Sequence, residues 1–255
     1  MNENPLSRLA GVTTGKTSKP PRLLIYGTEG IGKSTLASLA PNPIFVPTED
    51  GLDEIDCAKF PLCENYAQFA GALESVIVEE HDYGTVVVDS ADWLERLIFD
   101  CVCTDSNVKN IELAAGGYGK GYGAALNYWR DVLAMLDACR AKGMIVIVLA
   151  HAQVEKFDDP ESQSYDRYSP RLHKKTSGPL LVEWADAVLF AARRHRIAVD
   201  DNGPKKRTRA TPIGADGGDR VLRCVGGPTC VAKNRYGLPE EIPLTWDALM
   251  SAMVK

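Results

Sequence analysis

The chain has 255 residues, 45% of them apolar, and a formal net charge of −5 at pH 7. That length accommodates one large domain or two small ones with an ordinary globular core. The charge excludes a protein that coats a polyanion with its whole surface, so any such site must be local. No apolar run reaches the roughly 18 residues of a membrane-spanning helix.

The opening "MNENPLSRLAGVTTGKTSKPP" has no apolar segment of the signal-peptide kind. It is expected to form a flexible polar arm over 1–20, ahead of one folded domain over 21–255. The seven cysteines are odd in number and contain no CxxC pair, which points to a reducing compartment. Cys57/Cys63 and Cys224/Cys230 each have five intervening residues, outside common zinc spacing, so buried thiols are the expectation.

"RLLIY" (Arg22–Tyr26) is an apolar run between Pro-Pro and Gly27, and predicts a buried strand. A helix is predicted from Lys33 to Leu39, stopped by Pro41. Strands follow at Ile44–Val46 and at Thr85–Val88, whose β-branched residues suit a parallel strand covered on both faces. "ADWLERLIFDCV" reads as helical. Leu126, Trp129, Leu133 and Leu136 recur at helical spacing, predicting a helix over Ala124–Ala141 with Gly143 closing it. "MIVIVLA" (Met144–Ala150) is the most apolar strand. "LVEWADAVLFAAR" offers a helical turn and another strand, and the region 196–231 alternates polar and β-prone residues as hairpins do. Strands alternating with helices predict an α/β fold: a mostly parallel, doubly wound sheet flanked by helices, with C-terminal hairpins.

"GTEGIGKST" matches GxxxxGK[ST] at Gly27, Gly32, Lys33 and Ser34, with a strand before it and a helix after it. Gly27, Thr28, Glu29, Gly30, Ile31 and Gly32 would turn backbone N–H groups toward phosphates, beside the helix N-terminus. Lys33 would reach the β- and γ-phosphates, Ser34 would ligate Mg²⁺, and Thr35 would lie near the α-phosphate. Asp89 ends "TVVVD" and could hold the magnesium through its water shell, the alternative being a helix cap. Glu49 follows the second strand, where a carboxylate could polarise an attacking water; Asp50 competes for that role. His151 and Gln153 end a central strand in "IVIVLAHAQ". A polar residue there could sense the γ-phosphate, although a cap or a satisfied imidazole is the plainer reading. Lys233 and Arg235 in "VAKNRYGLP" stand two residues apart on a strand end, so both would point the same way. They could reach a neighbouring subunit's γ-phosphate, or form a solvated turn.

Taken together, these residues resemble the RecA-like ATPases over roughly residues 22–238. "PIFVPTEDGLD" is similar to the RecA segment with the catalytic glutamate. "LAHAQ" is similar to the strand tip of RadA and the hexameric replicative helicases. "AKNRYG" is similar to the Lys-Asn-Arg-aromatic-Gly motif of RadA. Size and motif spacing most resemble the short single-domain phage ATPases of the Sak type, associated with recombination and single-strand annealing. His151 stands where RecA has an Asn-Gln pair, and the four-cysteine finger of RadA is missing.

The resemblance implies a RecA-like Mg²⁺-dependent ATPase with ATP held between subunits of a ring or filament. It further implies action on single-stranded DNA, a single-strand DNA-binding protein as partner, and the cytoplasm of an infected bacterium as location. A helicase or helicase-loading motor and a nucleotide-dependent protein switch are the alternatives. Two segments are candidate DNA contacts. "NVKNIELAAGGYGKGYGAALNYW" sets Lys109, Tyr118, Lys120 and Tyr122 among five glycines, combining cations with stacking faces. "VEKFDDPESQSYDRYSPRLHKKTSGP" is expected to be a long loop bearing Arg167, Arg171, Lys174 and Lys175. From Gln163 to Arg209 there are eleven Lys/Arg against five Asp/Glu, net +6 in a chain of net −5. A local basic surface on an acidic body fits a polyanion site. "PKKRTR" (Pro204–Arg209) could add backbone contacts or serve solubility.

Overall fold

The computed structural model describes residues 12–15, 19–161, 163–200, 207–214 and 217–253. Most of the expected N-terminal arm lies outside this set. So does 204–206 of the "PKKRTR" stretch, and for Arg207–Arg209 only the backbone is described.

In chain order the elements are β1 (Arg22–Gly27), α1 (Lys33–Ser38), β2 (Pro43–Pro47), β3 (Ala58–Lys59), α2 (Tyr66–Val78), β4 (Thr85–Asp89), α3 (Ala91–Asp105) and α4 (Lys120–Ala141). They continue with β5 (Ile145–Phe157), β6 (Tyr165–Pro170), α5 (Ser177–Trp184), β7 (Ala187–Arg193), β8 (His195–Asp200), β9 (Arg207–Pro212), β10 (Arg220–Arg223), β11 (Lys233–Asn234), β12 (Glu241–Pro243) and α6 (Trp246–Met253). A short 3-10 helix, Ile111–Gly116, precedes α4. No helix among the described residues is long and apolar enough to cross a membrane.

One sheet runs β12-β10-β7-β1-β5-β4-β2-β3. The strands from β7 to β3 are parallel to one another. β10 and β11 add to β7, and β12 to β10, in antiparallel sense. The central strands are apolar on both faces because both are covered. Leu23, Ile25, Phe45, Val87, Ile147 and Leu149 pack with Leu36 of α1 and with Trp246 and Leu249 of α6. Leu24, Tyr26, Val46, Val86, Val88, Val146 and Val148 pack with Phe69, Leu73, Leu94, Ile98, Trp129, Leu136 and Leu181 of α2 to α5. The alternation of neighbours such as Leu23 and Leu24 follows the period of two of a strand.

The crossover leaving β1 uses α1 on one face; that leaving β5 uses α5 on the other. Such a reversal opens a crevice beyond the carboxyl ends of the strands. Register places Gly27 beside His151, Leu149 beside Asp89, and Asp89 beside Pro47. The phosphate-loop start, the strand-tip histidine and the strand-ending aspartate are therefore neighbours along one edge.

Two expectations are corrected. The segment expected to be a long loop after Gln153 is regular over about half its length: β5 continues to Phe157 and pairs antiparallel with β6, from Ala152↔Pro170 to Phe157↔Tyr165. Alternating Tyr165, Arg167 and Ser169 supplied a strand pattern that the charge content obscured. Helix α4 also starts at Lys120, four residues earlier than its leucine spacing indicated, so Lys120 and Tyr122 lie on its first turn. Helix α2, absent from the sequence reading, has a conventional start: Asn65 Oδ1 accepts from Gln68 N at 3.0 Å, and Gln68 Oε1 accepts from Glu64 N at 2.7 Å.

Candidate functional site

The loop from Gly27 to Thr35 turns from β1 into α1 as its glycines allow. A side chain at Gly27 would meet the Ala191 carbonyl of β7 at 2.5 Å, so strands β1 and β7 can approach only with glycine there. Gly32 has φ 106°, a left-handed conformation that releases the chain into α1. Lys33 is buried, and its Nζ donates to the carbonyls of Gly27 at 3.2 Å and Thr28 at 3.1 Å. Burial lowers its pKa, against the pull of the nearby Asp89 and Glu49 carboxylates.

Ser34 Oγ donates to Asp89 Oδ2 at 2.6 Å. A hydroxyl and a buried carboxylate side by side form the hard oxygen set that Mg²⁺ takes, so the residues present fit that ion. Burial raises the Asp89 pKa, partly offset by the Ser34 hydrogen bond and by Lys33. Thr48 fastens β2 to β4: its N–H donates to Asp89 O at 2.7 Å and its hydroxyl to Ser90 O at 2.7 Å. That latch carries Glu49 to the edge beside Asp89. Burial raises the Glu49 pKa, with His151 opposing and Asp89 reinforcing the shift.

His151 is held by a residue that the sequence reading missed. Asp92, buried on the first turn of α3, accepts the His151 backbone N–H at 2.9 Å and faces Nδ1 at 3.0 Å. A carboxylate against Nδ1 fixes the proton there and leaves Nε2 toward Glu49 Oε1, 3.9 Å away. Burial would raise the Asp92 pKa, but its hydrogen bonds with His151 outweigh that and hold it below the usual carboxylate range. Gln153 turns away from this edge and donates to the carbonyls of Pro170 and Leu172, each at 3.1 Å.

The loop, Glu49, Asp50, His151 and Ile55 line one cleft of about 360 Å³, together with Arg220 from β10. Arg220 also escaped the sequence reading; no local pattern marks it, and only the sheet brings it to the phosphate loop. Lys233 and Arg235 lie elsewhere, near the start of β1. Lys233 Nζ donates to Val182 O at 2.9 Å and Glu183 O at 2.6 Å, closing the end of α5. Arg235 pairs with Asp186 at 3.1 Å, a buried carboxylate that Arg22 and Arg140 also bind. Asp186 N–H donates to Arg22 O, so both cations sit at the strand end opposite the chain's own phosphate loop.

The candidate DNA residues divide. Lys109, Lys120, Lys174 and Lys175 are exposed. Tyr118 is 99% exposed. Tyr122 is turned inward, its hydroxyl donating to Glu112 at 2.7 Å and its ring stacked on His173 at 4.0 Å. This stack joins the start of α4 to the segment after β6, so the two candidate DNA segments meet. Arg167 pairs with Glu155 at 2.9 Å and lies over the Phe157 ring. Arg171 is drawn to the phosphate loop, where it pairs with Glu29; its N–H donates to His151 O at 2.8 Å.

A parallel sheet with a phosphate loop, a serine–aspartate pair and a carboxylate at its edge defines a P-loop nucleotide-binding protein. Residues 19–236 match the family described as AAA domain, and the chain belongs to that family of ATPases. It is 23% identical over 172 residues, 66% of its own length, to the SPbeta prophage-derived uncharacterized protein YorG of Bacillus subtilis (strain 168). The chain spans about half the length of that curated relative, the match covering 49% of it. Among solved structures, the RadB recombinase is similar at 16% identity and a TM-score of 0.45, with 90% of each chain covered.

Proposed function

We propose that the chain is a Mg²⁺-dependent, RecA-like ATPase that assembles on single-stranded DNA and promotes phage-type recombination or annealing in the cytoplasm of an infected bacterium. The supporting observation is the edge geometry: Ser34 bonded to Asp89, Glu49 latched beside them, and His151 at the foot of the β5–β6 hairpin. In this reading Gly27–Thr35 enclose the ATP phosphates. Bound magnesium, held by Ser34 and Asp89, supplies charge neutralisation on those phosphates. Glu49 accepts the proton of the attacking water. His151, oriented by Asp92, touches the γ-phosphate side of the cleft. A neighbouring subunit contributes its Lys233 and Arg235, so hydrolysis depends on assembly. DNA runs past Lys109, Tyr118, Lys120, Lys174 and Lys175. Tyr122 and Arg167 shape that path, and Arg171 links it to Glu29. A single-strand DNA-binding protein is the expected companion, by family resemblance.

The test is steady-state ATP hydrolysis with and without single-stranded DNA, for the wild type and Arg235→Ala. Strong DNA stimulation that Arg235→Ala abolishes, with nucleotide binding retained, is the expected result. Turnover indifferent to both DNA and the substitution sinks the DNA and shared-site readings, and leaves a protein-binding switch. Directional unwinding would point instead to a helicase-like motor.

A further inference from the structure

The antiparallel strand β10 puts a cation in the cleft that the phosphate-loop motif does not include. β10 pairs with β7, which pairs with β1, and Arg220 stands opposite Arg193 at the end of β7. Because β10 runs against its neighbours, its first residue arrives at the edge where β1 delivers the phosphate loop. Its backbone is fixed there by Leu244 N–H, which donates to Arg220 O at 3.0 Å. The guanidinium lies over the loop: Nη1 is 3.1 Å from where a Cβ on Gly32 would stand. Among the described residues no ion pair or hydrogen bond of this guanidinium is present, although arginines around it are engaged. Arg194 pairs with Glu241, and Arg223 approaches the same carboxylate. The acids that line the cleft, Glu29, Glu49 and Asp50, lie with the loop and the β2 end. Glu29 is already paired with Arg171.

Arg220 thus faces the same cleft as Lys33, set over the phosphate loop and without a carboxylate partner among the described residues. A bound polyphosphate would supply the partner that this guanidinium lacks, and a guanidinium grips phosphate oxygens in two-pronged fashion. We propose that Arg220 is a phosphate-contacting residue, supplied by the same chain, that grips the polyphosphate of the bound nucleotide from the β10 side. The inference rests on the nucleotide reading above. It assigns the C-terminal antiparallel strands a part in the site rather than a purely structural one. It also separates two sets of cations: Arg220 acts within the subunit and on binding, whereas Arg235 acts across the interface and on turnover.

Binding of Mg·ATP, Mg·ADP and Mg·tripolyphosphate is measured by calorimetry for the wild type, Arg220→Ala and Arg220→Lys. Arg220 is exposed, so its removal should leave the fold intact, as circular dichroism would verify. The expected result is a roughly tenfold weaker affinity of Arg220→Ala for all three, as for loss of one charge-assisted hydrogen bond, with partial recovery in Arg220→Lys. Unchanged affinity in Arg220→Ala overturns the proposal while leaving nucleotide binding itself intact. Weakened binding of ATP and ADP with unchanged tripolyphosphate also overturns it, because the contact would then be to the nucleoside. A wild-type chain that binds none of the three overturns the nucleotide reading and this one together.

Discussion

Glu49 and Asp89 are neighbouring carboxylates at a half-buried edge, and their different environments suit the different roles proposed for them. Asp89 is more deeply buried and hydrogen-bonded to Ser34, as suits the magnesium-holding role proposed for the pair. Glu49 faces the cleft and His151 Nε2. A proton acceptor works only when ionised, and burial raises the Glu49 pKa. Turnover should therefore fall, as pH drops, at a less acidic pH than an ordinary glutamate would give. Glu49→Gln should lower kcat by roughly 10² to 10⁴-fold, retain ATP binding, and lose that acidic limb from its pH–rate profile. A limb that survives the substitution would assign the base elsewhere, with Asp50 the next candidate. Lys33 and Ser34 were readable as a pair because the motif spaces them on the chain. Asp92 was not, because its importance lies in His151, 59 residues away.

At the scale of elements, the β5–β6 hairpin is the part that, in the proposed function, would link a bound strand to the nucleotide cleft. It is a continuation of the strand whose tip enters the cleft, and it is anchored at its base. Tyr26 of β1 donates its hydroxyl to Tyr168 O at 3.1 Å and Val231 O at 2.7 Å. The rings of Tyr26, Phe190 and Tyr168 stack in sequence across β1, β7 and β6. Arg171, just past the hairpin, donates its N–H to His151 O, so in the proposed function a contact at the nearby Lys174 or Lys175 would bear on His151 through that segment. The double variant Lys174→Glu/Lys175→Glu should keep ATP affinity but weaken single-strand binding. Each lost phosphate contact should flatten the slope of log affinity against log salt by about 0.7. An unaltered slope in fluorescence titrations would remove these lysines from the DNA path. The hairpin was legible only in part: alternation from Tyr165 to Ser169 signals a strand, but its partner is a strand that the apolar pattern alone would end at Ala150.

For the whole molecule, the placement of cations at opposite ends of β1 is the main consequence of the fold. Lys33 and Arg220 stand at the carboxyl edge; Lys233 and Arg235 stand beside Asp186 at the other. Arg235 is 53% exposed despite its ion pair, so it is available to a neighbour. If the site is shared, mixing Lys33→Ala with Arg235→Ala, each inactive alone, should restore DNA-stimulated hydrolysis. One subunit then brings an intact phosphate loop and the next an intact arginine. No recovery from a mixture shown to co-assemble would argue that Arg235 serves its own chain's stability instead.

The amino-acid sequence by itself determined the alternation of strands and helices, the phosphate loop with its serine and lysine, and the strand-ending aspartate. These are local: burial on both faces makes a strand apolar throughout, and a tight phosphate turn needs glycine at fixed intervals. Only the tertiary structure decided that β5 separates β1 from β4, which sets His151 between loop and aspartate. It alone placed Asp92 behind that histidine, paired the first part of the basic segment with β5 as a hairpin strand, and turned β10 back so that Arg220 reaches the loop. Those outcomes depend on strand order and direction, which pair residues tens to hundreds of positions apart and leave no periodic trace along the chain.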